Sequence, residues 1–309
     1  MNLIQKGLPL LFTLCSALQI FSQNTQTDSI TQLDEVVLTQ DAIPKKATGI
    51  TSSSKIAGRT FERFNPTDIP SAINQISGVY ILSGAINTNR ITVRGIGART
   101  PYGTNKLRMY FNGIPVTNGA GSSTIEAYDF ENLGAVEVIK GPKATAYGSN
   151  LGGAILLETK ASVEDRTQLI NSFTVGSYNM LKDNLSFSHS EDGFKLSLSY
   201  NHLETDGYRQ NNQFQRDGLL LNTQFRTGQK SSIALLVNYI DYTAHIPSSI
   251  NQTDFEEDPT RAASNWLSAQ GYEANKYILT GLSHTYQFSE HHQNTTSIFY
   301  TYLDHYEPR

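Results

Sequence analysis

Residues 136–160, VEVIKGPKATAYGSNLGGAILLETK, decide how this chain is read. The stretch opens on the strand-forming run Val136, Glu137, Val138, Ile139 and turns at Gly141-Pro142. It then passes a loop punctuated by Gly148, Gly152 and Gly153 and closes on a second apolar run at 154–157. β-Branched residues favour strands, and glycines gather where backbone must turn sharply or lie close to another surface. The spacing predicts strand, tight loop, strand. Before Lys160 the expected strands are short and the loops long, whereas after Asp165 the strands lengthen, so the stretch divides two kinds of structure.

Upstream, residues 43–160 read as a compact α+β unit. Residues 65–76 carry capping residues and the Ile69, Ala72, Ile73, Ile76 spacing of a short helix, stopped by Gly78. Strands are expected at 79–82, 90–94, 107–111, 136–139 and 154–159. Asn112-Gly113 is a tight-turn dipeptide, and Pro115 ends the pairing after it. The loops 83–89, 95–106 and 116–123 are long for so small a unit, and long loops on a small scaffold commonly carry function.

The N-terminus has the form of a secretory signal, residues 1–22: Lys6, a short apolar run from Leu8 to Leu14, and Ile20-Phe21-Ser22 before polar sequence. That run is too short for a membrane helix. Phe12-Thr13-Leu14 before the single cysteine, Cys15, are bulkier than a lipidation site carries. Removal of the signal leaves no cysteine for a disulfide or thiolate site. Residues 23–31 form a solvated linker. The isolated strand formers at 33–39 are either the first strand of the next domain or an edge donated to a partner sheet.

Downstream, long strands are expected at 167–177, 180–190, 193–204, 214–227, 231–243, 272–289 and 291–306. In the third, Phe194, Leu196, Leu198 and Tyr200 share one face and Lys195, Ser197, Ser199 and Asn201 the other. Tight turns alternate with the long connections 205–213 and 244–271, as in an outer-membrane barrel, and tyrosines near the strand ends suit aromatic girdles. A soluble sandwich also alternates, but its strands average five or six residues, whereas a tilted bilayer span needs about nine to eleven.

Composition agrees: 38% hydrophobic and 17% charged residues, with 16 Tyr, 14 Phe and 23 Gly, suit strands and turns better than helices. A net charge of -4 offers no basic footprint for nucleic acid. Enzyme signatures fail. Gly95-Ile96-Gly97 lacks the third glycine and following helix of a dinucleotide site, and the loop after Gly141 lacks the Gly-Lys-Ser/Thr ending of a phosphate loop. Neither catalysis, a metal centre nor a cofactor is expected. The acidic run Asp254, Glu256, Glu257, Asp258 is the one cation candidate, and such runs are usually solvated.

Three motifs in order, Ile91-Thr92-Val93-Arg94-Gly95, Phe111-Asn112-Gly113-Ile114-Pro115-Val116 and the 136–160 stretch, resemble the plug-domain motifs of TonB-dependent outer-membrane receptors. The resemblance covers 33–160, with the remainder as opening barrel strands. It implies a fold class of α+β plug domain followed by antiparallel transmembrane β-barrel strands. The domains would be a signal peptide (1–22), a linker with the TonB box (23–42), a plug (43–160) and barrel strands (161–309).

By resemblance, Asp34, Glu35, Val36, Val37, Leu38 and Thr39 would pair with the energy-transducing TonB protein. Arg94 and Lys140 would match two plug arginines that pair with barrel glutamates; lysine at 140 keeps the charge but loses the bidentate fork. Asn112 also departs from the usual Asp, and Ala144 and Ala146 from Ser and Leu. The outward loops nominate Asn87, Asn89, Arg99, Tyr102, Asn105, Asn118 and Ser122 for ligand contact.

The expected location is the outer membrane of a Gram-negative bacterium, with lipid around the strands. Seven strands against the family's twenty-two lead to the expectation of a longer protein, since open sheet edges are costly in lipid. The function implied is active import of a scarce ligand, first a ferric siderophore or related iron chelate. Cobalamin or glycan import, and a non-transporting surface receptor or adhesin on the same scaffold, are the alternatives.

Overall fold

The computed structural model describes residues 53–308 apart from 62, 66–68, 85, 87–88, 100–105, 118–120, 122, 124, 126–127, 142–146, 149–150 and 161–165. The expected signal peptide, linker and TonB box lie outside the described residues.

The first part is a mixed sheet of β1 (Ser53–Ala57), β4 (Leu107–Phe111), β5 (Ile114–Pro115), β6 (Leu133–Lys140) and β7 (Gly153–Thr159), in the order β1-β6-β7-β4-β5. The β6–β7 hairpin is antiparallel with Val136 opposite Leu157, whereas β4 runs parallel to β7. A separate hairpin pairs β2 (Val79–Ser83) with β3 (Asn89–Val93). The short helices α1 (Gly58–Phe61) and α2 (Ile69–Ile73) pack on these sheets.

The helix stops sooner than its apolar spacing predicts because Asn74 is diverted to β2. Its side chain accepts from Ile81 N (2.6 Å) and donates to Ile81 O (3.1 Å), standing in for a strand neighbour. The strand β1 has no counterpart in the predicted elements, since Ser-Ser-Lys-Ile-Ala shows no alternation.

Two turns explain their sequences. Asn112 and Gly113 both adopt positive φ, 47° and 81°, as a two-residue hairpin turn requires. Asn112 also accepts from Thr159 N (3.0 Å) and donates to Thr159 Oγ1 (3.0 Å), whereas an aspartate could meet that hydroxyl only as an acceptor. Gly153 sits at φ 117° where a Cβ would overlap the Ile139 carbonyl oxygen. It is therefore indispensable to the hairpin that opens the sequence reading.

The second part is a meander of seven antiparallel strands: β8 (Thr167–Gly176), β9 (Met180–Glu191), β10 (Phe194–Thr205), β11 (Phe214–Gly228), β12 (Ser231–His245), β13 (Tyr272–Ser289) and β14 (His292–Tyr306). They run from 10 to 18 residues, longer than sandwich strands. One end turns tightly through Asp192-Gly193, Gln229-Lys230 and Glu290-His291. The other carries the loops 206–213 and 246–271, the latter holding α3 (Gln252–Glu257) and α4 (Ser264–Ala269).

Burial across this sheet is inverted relative to a soluble sandwich. On β10 the polar Ser199 and Asn201 are 2% and 5% exposed, against the first part, while Leu198 and Tyr200 remain 39% and 42% exposed. Leu169, Phe173, Leu219, Leu282 and Ile298 extend the exposed apolar face. A wall whose covered face mixes polar and apolar side chains and whose open face is apolar suits lipid outside and a plugged lumen within. The first part fills that concave side as a plug, and its core runs without a break into Leu203, Phe214, Leu220, Leu236, Ile240 and Leu279 of the wall.

Replacing Gly153 by Ala should open the β6–β7 hairpin and destabilise the plug by about 2 kcal/mol or more. The urea midpoint of plug unfolding checks this, and an unchanged midpoint would contradict the geometry.

Candidate functional site

The seat of the plug on the wall is built around one carboxylate. Residues 128–132 leave the plug core as a short bridge into β6, and two aromatic side chains pin it. Tyr128 packs on Phe111 (ring centroids 5.1 Å) and on Tyr277 of the wall (6.3 Å, edge-on), and Phe130 stands edge-on to Phe61 at 5.0 Å. Between these rings Asp129 caps a single 3₁₀ turn, Phe130–Asn132, its Oδ1 accepting from Glu131 N at 2.8 Å. Burial holds the Tyr128 phenol well above its ordinary pKa, so the ring stays neutral.

Two cations of the wall converge on this turn. Arg216 of β11 places Nη2 2.6 Å from Asp129 Oδ2, and Lys182 of β9 places Nζ 3.2 Å from the same oxygen. Lys182 also reaches Glu131 Oε2 at 2.7 Å, and the Ser172 hydroxyl of β8 donates to Glu131 Oε1 at 3.0 Å. The side chains of Asp129 and Lys182 are each 1% exposed and that of Arg216 5%, while Glu131 at 24% closes the neutral group toward solvent. Burial alone would raise the Asp129 pKa, but the Lys182 ammonium, the Arg216 guanidinium and the Glu131 N–H outweigh it and hold the carboxyl below its ordinary value of 3.8.

Shape completes the seat. Ile114, just past the Asn112-Gly113 turn, presses its Cδ1 into the place a side chain at Gly281 of β13 would occupy. Asn222 of β11 donates to Thr159 Oγ1 at 3.2 Å, so the hydroxyl that receives Asn112 also receives the wall. Where Phe111, Tyr128 and Leu133 face Asn201, Leu220 and Asn238, the cavity left is only about 10 Å³, the room of one water molecule. These contacts offer binding and anchorage. Among the described residues no group of three His, Cys, Asp or Glu side chains is placed to hold a metal.

The residues nominated from sequence are placed unevenly. Asp34, Glu35, Val36, Val37, Leu38, Thr39, Asn87, Tyr102, Asn105, Asn118 and Ser122 lie outside the described residues. Arg99 is exposed in the turn after Gly97, whereas Asn89 opens β3 and is buried. Arg94 is exposed at φ 52°, its N–H donating to Gly78 O at 2.7 Å. Lys140 is buried and donates to Ser54 Oγ (2.9 Å) and Ser77 O (2.5 Å), both within the plug. Among the described residues neither Arg94 nor Lys140 pairs with a barrel glutamate.

The group that does cross from plug to wall, Asp129 and Glu131 with Lys182 and Arg216, has the opposite polarity and was not nominated. Its signal was the pair of cations on inward, polar strand positions, but nothing local says which plug segment they meet. The acidic run of the long loop is tied to one arginine: Arg261 lies 2.9 Å from Glu257 and 3.3 Å from Asp254. Arg209 joins the two long loops by donating to Ser248 O (2.7 Å) and Arg261 O (2.7 Å).

Comparison with known proteins agrees with this architecture. Residues 45–155 match the family model of the TonB-dependent Receptor Plug Domain. Residues 45–155 thus match a plug domain of that family, and the strands that follow share the fold of the receptor barrels they resemble. Among solved structures it is similar to the ferric citrate transporter FecA in its unliganded form, with a TM-score of 0.71 and 19% identity over 83% of this chain and 40% of that one. The ferric yersiniabactin uptake receptor FyuA of Yersinia pestis gives a TM-score of 0.65 and 15% identity over 84% and 42%. The copper transporter OprC gives 0.62 and 15% over 82% and 36%. The chain thus spans less than half the length of each of these receptors.

Removing the Asp129 charge takes from buried Arg216 the carboxylate 2.6 Å from its Nη2 and leaves Lys182 with Glu131 as its acid. Asp129→Asn should cost about 3–5 kcal/mol of plug seating, read as a lower urea concentration for plug release from the full receptor. Because the folded pKa is depressed, the stabilisation is fully present above 3.8 and is lost only as pH falls through the lowered folded value. Wild-type seating should therefore be flat across neutral pH.

Proposed function

We propose that this chain is part of an outer-membrane importer that takes up a scarce ligand with force supplied by a TonB-type partner, the ligand being a ferric siderophore or related iron chelate. The observation that carries the reading is the seat itself: a plug joined to the inner wall by a continuous core and a neutral buried ion group. A ligand can pass such a wall only if the plug is displaced. An outer membrane has neither ATP nor an ion gradient to do this, so force must arrive through a segment that can be grasped. The strand formers Asp34, Glu35, Val36, Val37, Leu38 and Thr39, after a polar linker, have the character needed for strand addition to a periplasmic partner.

The iron chelate is supported by the solved structures named for ferric citrate transport and ferric yersiniabactin uptake. The copper transporter keeps a metal cargo of another kind within the same reading. Ligand contact is assigned to exposed Arg99, as the anchor for an anionic chelate, and to Asn87, Tyr102, Asn105, Asn118 and Ser122. Asn89, being buried, would reach a ligand only after the β2–β3 end rearranged. Exposed Arg94 retains the role of meeting a barrel carboxylate. A second reading, a surface receptor that binds a protein ligand, is favoured by one likeness, the complex of FpvAI with pyocin S2 at a TM-score of 0.62.

The full-length gene should restore growth of an uptake-deficient strain on a scarce ferric chelate, and deletion of residues 34–39 should abolish it while the protein still fractionates with the outer membrane. Undiminished chelate uptake by the deletion variant would contradict TonB-coupled import.

A further inference from the structure

The strand β1 is the edge of the plug sheet, bonded only to β6 through the pairs Ser53↔Ile139 to Ala57↔Ala135. It is also the covalent continuation of the N-terminal 52 residues. Its hold on the plug through side chains is slight. Ile56 is its one buried residue, and the Lys55–Glu158 ion pair, at 2.6 Å, is open to solvent on both sides and screened.

Lys140 is different. The side chain is 7% exposed although it carries an ammonium with three donors, and such a group must be met by acceptors when buried. One acceptor is Ser54 Oγ on β1 at 2.9 Å. Another is the Ser77 carbonyl at 2.5 Å, in the turn after α2 that Ile76 N and Val79 N tie to Ile73 O and Ile76 O. In the antiparallel register Lys140 stands one residue beyond Ile139, the partner of Ser53. It therefore lies at the N-terminal end of β1, where tension entering from the linker would first meet the plug.

We propose that Lys140 is a positioning residue for transport: a clasp that fastens the first turn of tension, β1, to the Ile76–Gly78 turn and so sets when the edge strand leaves the sheet. The proposal rests on the import reading for its purpose but not for its test. Beyond its backbone ladder to β6, β1 is held by one buried side chain and one buried ammonium, so release of the ammonium removes much of its side-chain hold. While the clasp is closed, Ser54 shields Lys140 from solvent; once β1 leaves, water reaches the ammonium and replaces the lost acceptor, so an opened clasp is stable enough to serve as a working state.

Hydrogen exchange of the full-length receptor, followed by mass spectrometry without ligand or TonB partner, tests the clasp. Lys140→Met keeps the stem and removes the donors. It should accelerate exchange in Ser53–Ala57 about tenfold while Gly153–Thr159 of β7 exchanges at the wild-type rate. Lys140→Arg, which can reach both acceptors, should restore most of the protection. Ser54→Ala, which deletes one acceptor without touching the core, should give a smaller acceleration confined to β1 and decides the matter if Lys140→Met does not fold. Unchanged β1 exchange in a folded Lys140→Met protein, or equal acceleration of β1 and β7, overturns the clasp. Loss of chelate import with unaltered exchange would likewise refute it while leaving the import reading intact.

Discussion

The Asp129 carboxylate, held between Lys182 and Arg216 where water does not reach, is the constraint on which the arrangement of plug and wall depends. A buried ion group is poor at adding net stability, because desolvation offsets most of its attraction. It is effective at fixing position, since any shift that separates the charges exposes an unpaired ion in a low-dielectric site. Hydrophobic contacts between Ile114, Tyr128, Leu220 and Leu279 would tolerate sliding. The ion group does not, and it sets the register in which Ile114 meets Gly281 and Thr159 meets Asn222.

Polarity of the wall follows from its two environments. The inward face sets Lys182, Ser199, Asn201 and Arg216 beside Leu203, Phe214, Leu220, Leu236, Ile240 and Leu279 and meets the plug with both kinds of contact. An outward face in lipid needs Leu, Phe, Ile and Tyr. The plug core around Val136, Val138, Ile155 and Leu157 is continuous with the apolar residues of the inward face, Leu203, Leu220 and Leu279 among them.

Much of this was legible in sequence. Period-two alternation located all seven long strands to within about two residues because the covered and open faces of the wall differ, as exposed Leu198 and buried Ser199 do. The β6–β7 hairpin was legible from Gly153 and the β-branched runs around it. Sequence reading missed β1, where only Ile56 is buried, and overextended the helix at 65–76, where Asn74 serves Ile81 instead. The seat was not legible because its partners are far apart in the chain, with 53 residues from Asp129 to Lys182 and 87 to Arg216. Charge type alone cannot supply that pairing, which depends on the strand register and on how the plug turns toward the wall.

The most direct measurement is a double-mutant cycle between Asp129 and Arg216 in the full receptor, with Asp129→Asn, Arg216→Met and the pair compared by the urea concentration that releases the plug. A seat centred on this contact predicts a coupling energy above about 1.5 kcal/mol, the double variant being less impaired than the two single effects summed. A coupling below about 0.5 kcal/mol would mean that the two residues act independently and that the plug is held in register by something else.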